Sequence, residues 1–188
     1  MFNITKTQRN AGFTLLESLI VLSIFITLAA IASSAYHNFI SNQRLETAAN
    51  QIYADLKLAR SEAIKQNKTL FVSFVSGATQ WCYGINENTT CDCTENGACL
   101  VKGVERNTSA SEFEGIQLQS ANFAGGGSST AFGHKRGFAV GNGVKNGTIW
   151  LKARNGAQVA IIISRVGRIR FCSIDLTGYP KNCPTPPA

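Results

Sequence analysis

The chain has 188 residues, of which only 29 are charged: 18 Lys or Arg and 11 Asp or Glu. This length leaves room for one domain of ordinary size and one further segment. The net charge of +7 favours an anionic partner and carries no information about the fold.

The N-terminus consists of a short basic leader followed by a long apolar run. Lys6 and Arg9 lie in the leader, which ends at Gly12, and Glu17 is the only charge within residues 13–36. A run of that length can cross a bilayer as a helix, because about 20 residues span ~30 Å of hydrocarbon. Positive charge ahead of a single pass predicts that the N-terminus stays cytoplasmic.

Glu17 is unusual because a carboxylate in the apolar part of a membrane helix costs about 2.5–3.5 kcal/mol. One interpretation is a first-turn acid favoured by the helix dipole. A second interpretation starts from Gly12, because an ordinary secretory signal places its cleavage site after the apolar run. A cut after Gly12 would leave Phe13 as the new amino terminus and keep the helix in the mature protein.

At these residues the sequence resembles the type III signal of type IV pilins and type II secretion pseudopilins. The resemblance implies that a prepilin peptidase cuts after Gly12 and that the amine of Phe13 is N-methylated. It also implies that Glu17 meets the amine of a neighbouring subunit in the fibre, since a buried charge needs an opposite partner. Many pilins have a proline near the end of this run. This chain has none before Pro180, so we expect a less bent helix.

The chain beyond the apolar run predicts an amphipathic helix, because apolar residues recur at three- and four-residue steps. The predicted buried stripe contains Ile40, Leu45, Ala48, Ala49, Ile52, Leu56, Ala59 and Ile64. No Pro or Gly interrupts residues 13–66, so one long helix is predicted. The predicted segments are a leader (1–12), a transmembrane or fibre-core half (13–36), an amphipathic half (37–68) and a β-rich head (69–188).

The head shows the short alternating runs of an antiparallel β-structure. Predicted strands cover residues 69–76, 80–85, 100–104, 116–121, 137–140, 147–153, 157–165 and 167–173. Asn146-Gly147 and Asn155-Gly156 mark hairpin turns. The glycine-rich segment 125–129 is interpreted as a linker, because no Lys-Ser or Lys-Thr follows it as in a phosphate loop. The predicted class is α+β, a type IV pilin fold in which a long N-terminal helix packs on an antiparallel sheet.

The six cysteines predict disulfides, because an exported domain enters an oxidising compartment. Cys172 and Cys183 lie far from the others and are predicted to close a C-terminal loop. Two more disulfides, in an order left open, are predicted among Cys82, Cys91, Cys93 and Cys99. A zinc site is the alternative, but the single residue between Cys91 and Cys93 does not match the usual spacing of zinc ligands. No metal or cofactor is predicted.

The last third of the chain is strongly basic. Residues 82–132 sum to −4, whereas residues 133–188 contain nine basic residues and one acid and sum to +8. Such segregated charge favours an anionic partner.

A predicted basic hairpin lies within this region, at residues 161–172. Strand alternation places Arg168 and Arg170 on one face, Gly167 suits the turn, and Arg165 projects from the same end. Arginine is well suited to bidentate contact with phosphate oxygens. Three further basic residues could extend the patch: Lys152, Arg154 and Lys181. The alternative is a solvated strand face, or a face whose arginines pair with acids on another subunit.

Residues 45–68 and the Gly-Arg-Ile-Arg at 167–170 are together similar to the GspH/FimT family of minor pilins and pseudopilins. In FimT-like members a Gly-Arg-x-Arg motif with a preceding arginine binds DNA in natural transformation. That resemblance implies DNA binding by Arg165, Gly167, Arg168 and Arg170. Two alternatives stay open: an assembly-priming FimU-like minor pilin without DNA binding, and a GspH-type pseudopilin of type II secretion.

The same resemblance implies the partners and the location. The expected partners are other major and minor pilins, the prepilin peptidase, the pilus assembly platform in the inner membrane, and double-stranded DNA. The expected location is the inner membrane before assembly, and the periplasm and the extracellular pilus fibre afterwards, with the chain at or near the tip. An enzyme is not predicted, because the two histidines lie far apart and no carboxylate pair or nucleophile motif is present.

Overall fold

The computed structural model describes residues 13–139, 146–176 and 178–185, with the side chains of residues 31–35 outside this set. The predicted leader, with Gly12, therefore lies outside the described residues. The chain divides into two compact units, Met1–Asn38 and Phe39–Ala188.

A single helix, α1 (Leu15–Gln66), runs for 52 residues. Thr14 caps its start, because the Glu17 N–H donates to Thr14 Oγ1 at 3.2 Å. Asn67 ends the helix in the left-handed conformation (φ 53°). Its N–H donates to the Ile64 carbonyl, and the next N–H donates to the Ala63 carbonyl, which is a Schellman motif. The predicted long N-terminal helix is confirmed.

The first unit consists, in its described part, of the start of α1 with its apolar side chains exposed. The exposed set includes Leu15, Leu16, Leu19, Ile20, Val21, Leu22, Ile24, Phe25, Ile26 and Leu28. Among the residues whose side chains are described, no helical stretch is both long and apolar enough to cross a membrane. The span predicted over residues 13–36 includes residues 31–35, whose side chains lie outside the description.

The described part of the second unit contains ten strands. They are β1 (Leu70–Val75), β2 (Cys82–Glu87), β3 (Leu100–Val101), β4 (Val104–Glu105), β5 (Asn107–Ser109), β6 (Ile116–Phe123), β7 (Ser129–Phe132), β8 (Gly147–Ala153), β9 (Gln158–Ile163) and β10 (Ile169–Ser173). One antiparallel sheet has the order β5-β2-β1-β7 and another has the order β10-β9-β8-β6, while β3 and β4 form a small hairpin. The α+β class is confirmed.

One stripe of α1 forms the centre of the hydrophobic core, together with the inner faces of both four-stranded sheets. Its members are Leu45, Ala48, Ala49, Ile52, Leu56, Ala59 and Ala63. The predicted stripe was wrong at both ends, because Ile40 is only partly buried, Ile64 is 48% exposed and Ala63 is fully buried. Ala63 continues the buried series at the same steps, four residues after Ala59 and seven after Leu56, whereas Ile64 lies beside that line.

Two predicted strands differ from the structure. Residues 100–104 form the hairpin β3–β4 instead of one strand, because Lys102 and Gly103 both have positive φ (53° and 73°) and reverse the chain. Residues 137–140 do not form a strand over their described part. Gly137 instead closes a tight loop by donating its N–H to the Gly133 carbonyl at 2.9 Å.

All six cysteines form disulfides. Cys172 is bonded to Cys183, the pair predicted from the sequence, and the open order among the other four resolves into Cys82–Cys93 and Cys91–Cys99. No thiolate is left to bind zinc.

Glu62 joins α1 to the β3–β4 hairpin. Its Oε2 accepts from the Lys102 ammonium at 2.9 Å and from the Gln66 amide at the same distance, and Lys65 donates to its Oε1 at 3.4 Å. These donors favour the charged carboxylate and lower the pKa of Glu62 from 4.5 to about 2, with Lys102 as the largest cause.

We expect Glu62 to contribute to the pH dependence of stability. A carboxyl with a lower pKa in the folded state stabilises the fold above its unfolded pKa and loses that contribution as the pH falls. Between pH 4.5 and about 2, wild type should therefore lose stability more steeply than Glu62→Gln. Urea unfolding of both proteins across this range measures the two slopes, and equal slopes would contradict the assignment.

Candidate nucleic-acid interface

The basic hairpin is formed by β9, β10 and a three-residue turn at residues 165–167. The Ser164 N–H donates to the Arg168 carbonyl, and the Gly167 N–H donates to the Ser164 carbonyl, both at 2.9 Å. Gly167 has φ 70°, the left-handed conformation that ends this type of turn. The turn and the predicted role of Gly167 in it agree with the structure.

The hairpin presents its arginines to solvent. Arg165, Arg168 and Arg170 are all exposed. Arg170 lies opposite Ile162 in the register of β9 and β10, while Ile169 and Phe171 on either side of it contact the core. No carboxylate among the described residues forms a salt bridge with any of the three arginines. Three unpaired guanidiniums therefore project from one end of the sheet.

Arg60 of α1 fixes the turn of this hairpin. Its Nε donates to the Gly137 carbonyl at 3.0 Å and its Nη2 donates to the Val166 carbonyl at 3.5 Å. Gly167 packs directly on the Gly137 backbone, and a Cβ at position 167 would collide with the Gly137 carbonyl. Glycine is therefore required at 167 both by its φ and by this close contact.

The C-terminal segment holds the other side of β10. Phe171 packs against Tyr53 of α1 with ring centroids 4.7 Å apart and the rings tilted by 36°, and Tyr179 meets the same phenyl ring edge-on at 5.7 Å. The Tyr179 hydroxyl donates to Glu46 at 3.0 Å. Burial, followed by this bond to a carboxylate, raises the pKa of Tyr179 to about 12. With the Cys172–Cys183 disulfide, these contacts fix β10 relative to α1.

The structure does not bring Lys152 or Lys181 to the arginines. Lys152 pairs with Gln158, four residues along β9 from the Ile162 that faces Arg170. At about 3.3 Å per residue this is ~13 Å along the strand, and with β9 between β8 and β10 the two side chains also lie about 10 Å apart across the sheet. Lys181 follows Pro180, whose carbonyl accepts from the N–H of Ser173 at the far end of β10. The prediction was wrong in placing these lysines beside the arginines, because the alternation of side chains gives the face of a strand and does not give the end of the sheet at which a residue lies.

Sequence reasoning missed a basic loop that does lie beside the turn. Lys135 and Arg136 are exposed and directly precede Gly137, which contacts Gly167. The available signal was the run His-Lys-Arg-Gly at residues 134–137, but its proximity to the hairpin depends on a contact between residues 30 positions apart.

The comparisons with known proteins agree with the sequence resemblance. Residues 48–167, more than half of the chain, match the family described as Type II transport protein GspH. The chain belongs to the GspH family. Residues 7–33 also match the prokaryotic N-terminal methylation motif, which includes Gly12, Phe13 and Glu17. The family predicted from the sequence is confirmed.

Two relatives from Pseudomonas aeruginosa, each described as a fimbrial protein, are 36% identical over 87 residues, 46% of this chain and 54% of theirs. The chain therefore matches about half the length of these relatives. The crystal structure of the type IV minor pilin FimU from the same species is similar with a TM-score of 0.44 at 20% identity, over 68% of this chain and 91% of that one.

Gly167→Ala tests the contact that fixes the hairpin, with Gly156→Ala as the matched control. Gly156 occupies the same turn position between β8 and β9 at φ 92°, with open space around its Cα. Gly156→Ala should cost about 1–2 kcal/mol of unfolding free energy through backbone strain alone. Gly167→Ala should cost about 1–3 kcal/mol more, because its methyl group also meets the Gly137 carbonyl. Urea unfolding measures both, and equal losses would show that the contact is unimportant.

Proposed function

We propose that this chain is a minor pilin of a type IV pilus, at or near the tip, whose basic hairpin binds double-stranded DNA during natural transformation. The observation that carries the proposal is the set of three exposed arginines, without ion-pair partners among the described residues, on a hairpin whose turn is fixed by Arg60. Family membership and the similarity to fimbrial proteins support the pilus assignment.

In this proposal the prepilin peptidase removes residues 1–12, and the amine of Phe13 is methylated. Residues 13–36 hold the chain in the inner membrane and later enter the fibre core. Residues 37–68 and the head at 69–188 face the periplasm and later the outside of the cell. The exposed apolar side chains between Leu15 and Leu28 support this role, because large exposed apolar surfaces mark interaction sites.

The proposed role of Glu17 is to pair with the methylated amine of a neighbouring pilin. The structure places Glu17 in the first turn of α1, where a carboxylate also favours the helix dipole.

Substituting Glu17 tests the assembly step. Glu17→Ala should leave cleavage after Gly12 intact and reduce incorporation into fibres at least tenfold, because the buried amine of the neighbour loses its partner. Ser18→Ala is the matched control, since its hydroxyl bonds only the Thr14 carbonyl among the described contacts. Immunoblots of sheared fibres measure incorporation, and mass spectrometry of the N-terminal peptide locates the cut. Wild-type incorporation of Glu17→Ala would refute the role.

DNA binding by the hairpin is tested with the double variant Arg168→Gln, Arg170→Gln. Its retardation of duplex DNA is compared with that of wild type, both as full chains in neutral detergent. Each lost arginine removes a phosphate contact, so duplex binding at low salt should weaken at least tenfold. Lys152→Gln with Lys181→Gln is the control, because it changes the net charge equally at the other end of the sheet. Equal retardation of DNA by wild type and the arginine variant would show that the hairpin arginines do not bind DNA.

In cells the arginine variant should keep its fibres and lose DNA uptake. Loss of fibres instead would favour the alternative function, an assembly-priming minor pilin without DNA binding. Fibres and uptake that both remain normal would leave only the general pilin role.

A further inference from the structure

The basic loop at Lys135 and Arg136 is the strongest surface feature that the proposed function does not use. It lies outside the Gly-Arg-Ile-Arg motif and comes from the segment between β7 and β8. We propose that Lys135 and Arg136 form the second half of the DNA site, binding phosphates beyond those that the hairpin arginines reach. This inference rests on the proposed function, because it extends the same surface.

Two backbone hydrogen bonds close the loop at residues 133–138. The Gly137 N–H donates to the Gly133 carbonyl, and the Gly133 N–H donates to the Phe138 carbonyl, both at 2.9 Å. The Arg60 guanidinium then fixes Gly137 from the side of α1. The backbone that carries Lys135 and Arg136 is therefore already ordered. Binding a phosphate then costs mainly the conformational entropy of the two side chains and little backbone entropy.

The loop and the hairpin turn touch through Gly137 and Gly167. Arg136 and Arg168 are each one residue from this contact. Two Cα–Cα steps of 3.8 Å and one backbone contact put the Cα atoms of these arginines within about 12 Å of each other. Duplex DNA carries one phosphate charge per about 1.7 Å of axis, so several phosphates lie within that reach.

Neither basic residue of the loop is neutralised within the described structure. No carboxylate there forms a salt bridge with Lys135 or Arg136. The guanidinium of Arg136 lies 6.0 Å from the ring centroid of Phe138, and its N–H groups donate to no side chain or carbonyl among the described residues. Together with the hairpin this gives five exposed cations around one fixed contact.

The test is the salt dependence of duplex binding by the full chain in neutral detergent. Each phosphate contact contributes about 0.9 to the slope of log K against log salt. Lys135→Gln with Arg136→Gln should therefore lower the magnitude of the slope by up to about 1.8. Lys152→Gln with Lys181→Gln removes the same charge elsewhere and should change the slope little. The charge-preserving exchange of Lys135→Arg with Arg136→Lys should restore the wild-type slope.

The outcomes separate the two proposals. If the loop variant has the slope of the lysine control while the hairpin variant loses binding, the loop inference is wrong and the proposed function stands. If the hairpin variant binds DNA as wild type does, or wild type does not bind, both are wrong. The inference is supported if the salt slope falls in the loop variant and returns to the wild-type value when Lys135 and Arg136 are exchanged. The loop and the hairpin would then form one DNA site.

Discussion

The burial of one stripe of α1 against both sheets is the interaction on which the rest of this structure depends. Four of its seven residues are alanines, and the others are Leu45, Ile52 and Leu56. Small side chains let the backbone of the helix approach the strands closely, while the larger ones fill the space between the two sheets. Both sheets consequently share a single core, and the loops at their ends take their positions relative to one helix.

Arg60 connects that core to the basic surface. It follows Ala59, the buried residue beside it on α1, and donates to the carbonyls of Gly137 and Val166. Both carbonyls lie in loops outside the strand ladders, so a fixed guanidinium is a suitable donor for them. Two loops from distant parts of the sequence thus share one side chain. The arrangement explains how a basic patch can form from segments that neither periodicity nor motif would join.

Local sequence predicted a large part of this fold because its signals act over a few residues. The absence of Pro and Gly predicted α1, alternation predicted all of β8, and Gly167 predicted the turn of the hairpin. The family resemblance rested on the same stretches. Short-range physics is sufficient for elements whose backbone conformation is decided by their own residues.

The parts that could not be predicted depend on contacts between distant residues. The position of Lys152 follows from its pairing with Gln158, and a register cannot be read from one strand alone. The pairing of Cys82 with Cys93 depends on the fold of the loop that carries them. The collision that excludes a side chain at Gly167 involves Gly137, and no local pattern in either segment indicates it.

The attachment of the turn to α1 has a mechanical consequence. When a hairpin is pulled at its tip, its inter-strand hydrogen bonds normally break one pair at a time, because the load falls on the pair nearest the tip. Here Arg60 holds the Val166 carbonyl, so tension at the tip is shared with the helix. At the other end of β10, the Cys172–Cys183 bond joins the strand covalently to the tail. Because Tyr179 of that tail packs on Phe171 and donates to Glu46 of α1, separating the edge strand β10 from β9 must also break these contacts with the helix.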